Sequence, residues 1–203
     1  MNWWESAYKG SPPWDIGAPQ PEIIKLVENN EIPKGRILDI GCGTGDNSIF
    51  LAKNDFSVTC LDIAHLAINK GKKKAAKQKI KVDFRLGDAL KLGRYFKQEH
   101  FNAVIDSGLF HTLSDQERPI FAKQINRVLV NGGKYFMLCF SEKEHGTAGP
   151  RRISKKEIKE TFSKMFRINY IKDAFFATKW DKKGPKAYLT SMTKIDHCRR
   201  SRL

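Results

Sequence analysis

Asp39 stands two residues ahead of a run of alternating glycines, Gly41-Cys42-Gly43-Thr44-Gly45, and this pairing is the part of the sequence best suited to chemistry. Glycine lets a backbone turn tightly and approach a ligand where a Cβ would collide. The run follows the apolar segment Ile37-Leu38-Asp39-Ile40 and opens a segment of helical pattern, the strand-to-helix context in which such a turn binds ligands. The first N–H groups of that helix stay open to polar ligand atoms. The spacing is G-x-G-x-G, not the G-x-G-x-x-G of dinucleotide sites. A carboxylate this close repels a pyrophosphate and suits a cationic α-amino group or a sulfonium, so a nicotinamide dehydrogenase is disfavoured.

Two further carboxylates sit where the same ligand would extend. Asp62 ends the second apolar run, at the distance from the glycines (about 20 residues) where dinucleotide enzymes place a ribose-binding acid. Asp88, in Gly87-Asp88-Ala89, follows the third run, where an adenine amino group can donate to it. Each alone is equally readable as a cap or turn former. Three acids at successive strand ends lie on the edge where open α/β sheets bind ligands.

These residues need a parallel sheet to bring them together, and the chain has its pattern. Apolar runs at Arg36–Ile40, Ser57–Leu61, Lys81–Leu86, Phe101–Asp106 and Lys134–Phe140 alternate with helical stretches at Asp46–Lys53, Ala64–Lys77, Lys91–Phe96 and Asp115–Leu129. Right-handed crossovers put helices on both faces. Asn131-Gly132-Gly133 is expected to stop the last of these helices with a left-handed cap. A helix Glu22–Asn29 begins behind Pro19-Gln20-Pro21. Near the end, Ser154 and Glu157 have capping-box spacing before a helix Lys155–Met165. The stretches Arg167–Thr178 and Lys186–Thr193 then read as an antiparallel pair on one sheet edge.

With these motifs in place, the sequence resembles the class I S-adenosylmethionine (SAM)-dependent methyltransferases from about Arg36 to Phe140. Asp39–Gly45 looks like their first motif, Asp62 their ribose-binding acid, Gly87-Asp88-Ala89 their adenine-proximal motif, and Phe101–Gly108 their fourth strand with the residues beyond it. The resemblance implies a Rossmann-like, mostly parallel seven-stranded α/β sheet with an antiparallel C-terminal edge hairpin. It implies SAM as cofactor, held by Asp39, Gly41, Gly43, Gly45, Asp62, Ile63, Asp88, Ala89 and Asp106. Asp106 is read as fixing either its own loop or the methionine end of SAM. Pro13–Pro21 and Gly149–Ser154 look like a subgroup similar to thiopurine, thiol and halide methyltransferases and to enzymes acting on heterocycles and quinols. In that subgroup a tryptophan-rich N-terminal segment folds over SAM, a part that in this chain falls to Trp4, Tyr8 and Trp14. Simple packing of these rings over the sheet is the other reading.

The acceptor-side candidates are His111, Arg151 and Arg152. His111, just past the fourth strand, either takes a proton from a weakly acidic acceptor or orients a loop. The two arginines either grip an anionic acceptor or bond nearby carbonyls. A thiolate, halide or phenolate needs no strong base, so a dedicated catalytic residue is not required. The expected partner is a small molecule, anionic or aromatic.

The bulk properties are consistent with one such domain. The chain has 203 residues, read as an N-terminal lid and helix (1–30), a core (31–195) and a basic tail (196–203). No apolar run is long enough to span a bilayer and the N-terminus has no secretory pattern, so a cytoplasmic protein is expected. Cys42, Cys60, Cys139 and Cys198 form no C-x-x-C pair; Cys60 and Cys139 read as buried thiols. His65, His100, His145 and His197 show no metal-ligand spacing, and no metal is expected.

The net charge is +15, which keeps an RNA or protein methyltransferase as the alternative, beside a catalytically silent SAM-binding protein. The lysines between Lys70 and Lys81 read instead as the solvated face of a helix backed by Ile68, Ala75 and Ala76, and no aromatics interleave them as in a nucleic-acid groove.

Overall fold

Strand register explains why the candidate residues meet. The computed structural model describes residues 3–196 except Ala148 and Lys182. Met1 and Asn2 of the expected lid, and the tail from His197 with Cys198, Arg199, Arg200 and Arg202, lie outside the described residues. The strands are β1 Arg36–Ile40, β2 Ser57–Asp62, β3 Asp83–Leu86, β4 Phe101–Ser107, β5 Leu129–Phe140, β6 Phe166–Phe175 and β7 Lys186–Lys194. They form one sheet in the order β3-β2-β1-β4-β5-β7-β6. Pairing is parallel from β3 to β5, and both junctions of β7 are antiparallel. Ile40 lies opposite Leu61 on one side and Asp106 on the other, so the loops after β1, β2 and β4 open on one edge. Two antiparallel junctions restore direction, so β6 also delivers its C-terminal end to that edge.

Alternation along the strands sends side chains into two cores. Leu38, Val104, Tyr135 and Met137 face α5 (Glu117–Val128), α6 (Lys155–Phe162) and the 3-10 segment Ala89–Arg94, where Phe121, Ile125, Phe162 and Leu92 bury. Ile37, Ala103, Ile105, Phe136 and Leu138 face α2 (Pro21–Glu28) and α3 (Asp46–Lys53). Farther along, Cys60 and Phe84 meet Ile68 and Ala75 of α4 (His65–Lys77). A short N-terminal helix, α1 (Trp3–Ala7), lies against α4. Cys60 and Cys139 are buried thiols. The capping box of α6 is present, with Ser154 accepting from Glu157 N–H and the Glu157 carboxylate accepting from Ser154 N–H.

Several local expectations change. Asn131-Gly132-Gly133 does not cap α5, which ends at Val128 with Leu129 already extended. The glycines instead form the irregular start of β5. Phe101 pairs with Leu129 but Ala103 with Lys134, so extra residues bulge out around Gly132, at φ +74°. The α4 face is less uniform than its lysines suggest. Ala76 is exposed, while Lys74 pairs with Asp46 at 2.7 Å and Lys70 Nζ donates to the carbonyls of Tyr8 and Gly10.

One contact joins the two ends of the fold across the sheet edge. Gln20, ahead of α2, is 6% exposed. Its amide donates to Ala177 O at 3.0 Å and accepts from Ala177 N–H at 2.9 Å, just past β6. Gln20→Leu leaves both backbone groups without partners. It is expected to destabilise the fold by about 1–3 kcal/mol per unsatisfied group, read from the midpoint of urea unfolding.

Candidate active site

The loops at the shared edge enclose a cavity of about 1230 Å³. A cleft for one drug-sized ligand measures about 300–1,000 Å³, so this one has room for two bound molecules. Its floor is the glycine turn. Gly41 at φ +68° and Gly43 at φ +56° hold left-handed conformations, and a Cβ on Gly43 would stand 2.6 Å from the Tyr8 hydroxyl. Gly45 does not line the cavity; it caps the start of α3 at φ +76° against the Phe84 ring.

Asp62, the last residue of β2, lines the cavity and braces its floor. One carboxylate oxygen accepts from Gly43 N–H and the other from Ala64 N–H, both at 2.8 Å. Burial pushes its pKa up, and these N–H groups pull it back. Asp88 also lines the cavity, accepting from Leu90 N–H at 2.9 Å and pairing with Lys91 at 2.8 Å. Against its partial burial, these partners hold its carboxyl below the ordinary value. Ile63 and Ala89 stand beside these acids on the cavity wall.

Two predicted acids lie under the floor and not on it. Asp39 is buried among α3 side chains, where Ser48 Oγ donates to it at 2.5 Å, and burial raises its pKa to about 7. Asp106 is buried as well. It accepts from Leu109 N–H, Phe110 N–H and the Tyr135 hydroxyl, with a pKa that burial lifts to about 7. Of its two sequence-based roles, the fixing of its own loop is the one these bonds perform.

His111 does line the cavity, in the 3-10 turn Phe110–Thr112 that Asp106 anchors. Its Nδ1 accepts from Phe140 N–H at 3.0 Å. Its ring packs against both Phe140 and Phe176, with centroids at 4.9 and 5.6 Å. Burial, then the Arg118 guanidinium, pushes its pKa down to about 3, so the ring is neutral in ordinary buffers.

Trp4, Tyr8 and Trp14 all line the cavity, with Trp14 Nε1 donating to the Tyr8 hydroxyl at 3.1 Å. Polar contacts fasten this segment. Glu5 accepts from Leu66 N–H at the start of α4, and Asp15 accepts from Thr44 Oγ in the glycine turn at 2.6 Å. The two arginines separate. Arg151 reaches the rim but is engaged by Asp115 at 2.5 Å and Glu157 at 2.6 Å. Arg152 does not line the cavity. It donates to the carbonyls of Pro150 and His145, the second of its sequence-based readings.

Sequence reasoning missed Phe140 and Phe176, which line the cavity against His111, and Trp180, an exposed lining residue whose neighbour Lys179 donates to Pro13 O. Phe140 carries no local signal. Phe176 and Trp180 arrive only because β6 points to this edge, a consequence of the strand order.

The sequence pattern of the methyltransferase-domain family matches residues 37–133. The 2-heptyl-1-hydroxyquinolin-4(1H)-one methyltransferase of Mycobacteroides abscessus is 33% identical over 181 residues, covering 84% of this chain and 78% of that relative. The chain belongs to the SAM-dependent methyltransferase family. The methyltransferase is also similar to probable thiol methyltransferase 2 of Arabidopsis thaliana, 30% identical over 166 residues, 76% of this chain and 68% of that one. A structure solved in work on the conversion of a disulfide bond into a thioacetal group during echinomycin biosynthesis superposes with a TM-score of 0.85. It is 26% identical and the match covers 98% of this chain and 95% of that one. Among the described residues of this methyltransferase no helix is long and apolar enough to cross a membrane, and no cluster has the make-up of a metal site.

The cavity fits SAM. Its left-handed glycines leave a concave floor that side chains would fill, and carboxylates line the wall while Arg151 there is paired with acids. A sulfonium and an α-amino group are stabilised in such surroundings. Gly43→Val adds bulk against Tyr8 and forces a β-branched residue to positive φ. The variant is expected to fold, by circular dichroism, yet show no SAM binding by isothermal titration; retention of the parent affinity would refute this placement.

Proposed function

We propose that this enzyme methylates a small, planar aromatic acceptor held by Phe140 and Phe176. The observation that carries the proposal is one cavity that runs from the glycine turn with its carboxylates to the Phe140 and Phe176 rings around His111. Gly41, Gly43, Asp62, Ile63, Asp88 and Ala89 would hold SAM. Asp62 presents its carboxylate to the ribose, and Asp88 its carboxylate to the adenine amino group. Trp4, Tyr8 and Trp14 cover that end.

When bound, SAM supplies an electrophilic methyl group on a positively charged sulfur. The protein's part is to align an acceptor with that methyl and to exclude water. Alignment of this kind removes up to about 7–11 kcal/mol of barrier. Phe140 and Phe176, with ring centroids 5.3 Å apart and planes inclined at 49°, offer an apolar, aromatic seat. The Arg151 fork is occupied by Asp115 and Glu157, so recognition of the acceptor falls to the rings more than to a cationic grip. The names of the relatives, a hydroxyquinolinone and a thiol methyltransferase, support an oxygen or sulfur nucleophile. Free, buried Cys60 and Cys139 support a reducing, cytoplasmic setting.

Isothermal titration should give binding of SAM and S-adenosylhomocysteine and none of NAD. Turnover assays should then favour aryl thiols, phenols and hydroxylated heterocycles over thiocyanate and iodide; a preference for the inorganic anions would remove the aromatic acceptor from the reading. Phe176→Ala should raise KM for an aromatic acceptor about tenfold, from the lost burial of one ring, and leave SAM affinity unchanged.

A further inference from the structure

The aromatic end of the cavity contains a histidine whose proton is already placed. β4–β5 pairing ends at Ser107 and Leu138, and beyond it the Phe140 N–H donates to His111 Nδ1 at 3.0 Å. A ring nitrogen that accepts carries no hydrogen, so the neutral ring holds its proton on Nε2. That edge faces the wall at Gly108, where Nε2 and Cε1 lie 3.6 Å from the position of an added Cβ. The ring is 6% exposed against two phenylalanines, so exchanging its nitrogens would break the Phe140 bond in a buried place.

The charged groups around His111 do not reverse this state. Arg118 of α5 adds to burial in disfavouring the imidazolium. On β5, Cys139 is a buried thiol with its pKa pushed up by burial. From β4, Asp106 is held by Leu109, Phe110 and Tyr135. After β5, Arg152 stacks on Phe140 at 5.8 Å and Arg151 is paired with acids; after β6, the neighbour is the Phe176 ring. The carboxylates lining the cavity already accept hydrogen bonds: Asp15 from Thr44, Asp46 from Lys74, Asp62 from Gly43, Asp88 from Leu90 and Glu117 from Ser114.

We propose that His111 donates a hydrogen bond from Nε2 to an acceptor heteroatom that reaches the site already ionised, its proton having left to solvent. The inference rests on the methyl-transfer reading and narrows the substrate class to acidic aromatic O–H and S–H compounds. In the transfer, a lone pair of the anionic oxygen or sulfur forms the bond to the methyl carbon. The bond from that carbon to the sulfonium sulfur breaks, and its electron pair stays on the sulfur as a neutral thioether. The acceptor's negative charge and the sulfonium's positive charge cancel, and no proton moves.

A donor at this place favours the reaction on balance. Lowering the acceptor's pKa by one unit raises its ionised fraction about tenfold where it is mostly protonated. For thiolates nucleophilicity falls with a coefficient of about 0.4–0.5, a loss of about threefold. The net gain is about threefold per unit, greatest for weakly acidic acceptors.

The test begins with long-range nitrogen–proton correlation spectra of the histidine-labelled protein, with His111→Gln used to identify the His111 signals. The expected result is a protonated Nε2 and bare Nδ1, unchanged from about pH 5 to about pH 9. An Nδ1–H tautomer, or an imidazolium within that range, would overturn the inference. Calorimetric titration of the same sample with S-adenosylhomocysteine tests the methyl-transfer reading separately, since absence of binding would remove that reading whatever the tautomer. In turnover, His111→Gln keeps a donor but cannot take a proton. It should hold kcat/KM on phenols within about threefold of the parent, with His111→Leu lower by about tenfold, the size of one hydrogen bond to a charged group. Equal loss in the two variants would overturn the donor role.

Discussion

Two backbone N–H groups from different loops converge on the Asp62 carboxylate, one from the turn after β1 and one from the turn after β2. Leu61 O adds to this junction by accepting from both Gly41 and Cys42 N–H. The glycine floor therefore hangs from β2 more than it stands on its own strand, and its shape follows from where β2 ends. Burying a carboxylate is unfavourable, and here several N–H groups offset that cost while fixing the floor. The acid that lines the cavity and the acid that shapes its floor are one residue.

The strands, their order of use and the shared edge were legible because each is a local pattern: a short apolar run, a helix start, a glycine turn. Spacing gave proximity but not orientation. Asp39 is the penultimate residue of β1, between Leu38 and Ile40, whose side chains face α5; alternation turns Asp39 to the opposite face, onto Ser48. Asp62 is the final residue of β2, where the strand no longer covers it. Parity does not separate these two acids, since Asp39 lies opposite Cys60 and Cys60 shares a face with Asp62; position along the strand does. The Asn131-Gly132-Gly133 segment misled because a left-handed glycine serves a helix cap and a strand bulge equally well.

What stayed hidden is long-range. The Gln20 clasp on Ala177 and the contribution of Phe176 and Trp180 depend on β7 being inserted between β5 and β6, which no window of sequence encodes. The basic residues resist a uniform reading for a related reason. Lys70 and Lys74 belong to a lysine-rich helix face, yet one holds the N-terminal segment by its carbonyls and the other neutralises Asp46 beside the glycine turn. Charge counts describe a surface; only the packed neighbours say which charges are already spoken for.

All four tryptophans of the chain, Trp3, Trp4, Trp14 and Trp180, line the same cavity, and neither hydrophobic core contains one. Indole emission from this protein is therefore a property of its mouth. Three of these rings lie within about 6 Å of one another, close enough for excitation to pass between them, so a ligand that displaces one alters the light from all three. The same placement leaves the interior optically quiet: a core that loosened beneath an intact rim would keep its tryptophan spectrum, and only the tyrosine and peptide signals would record the change.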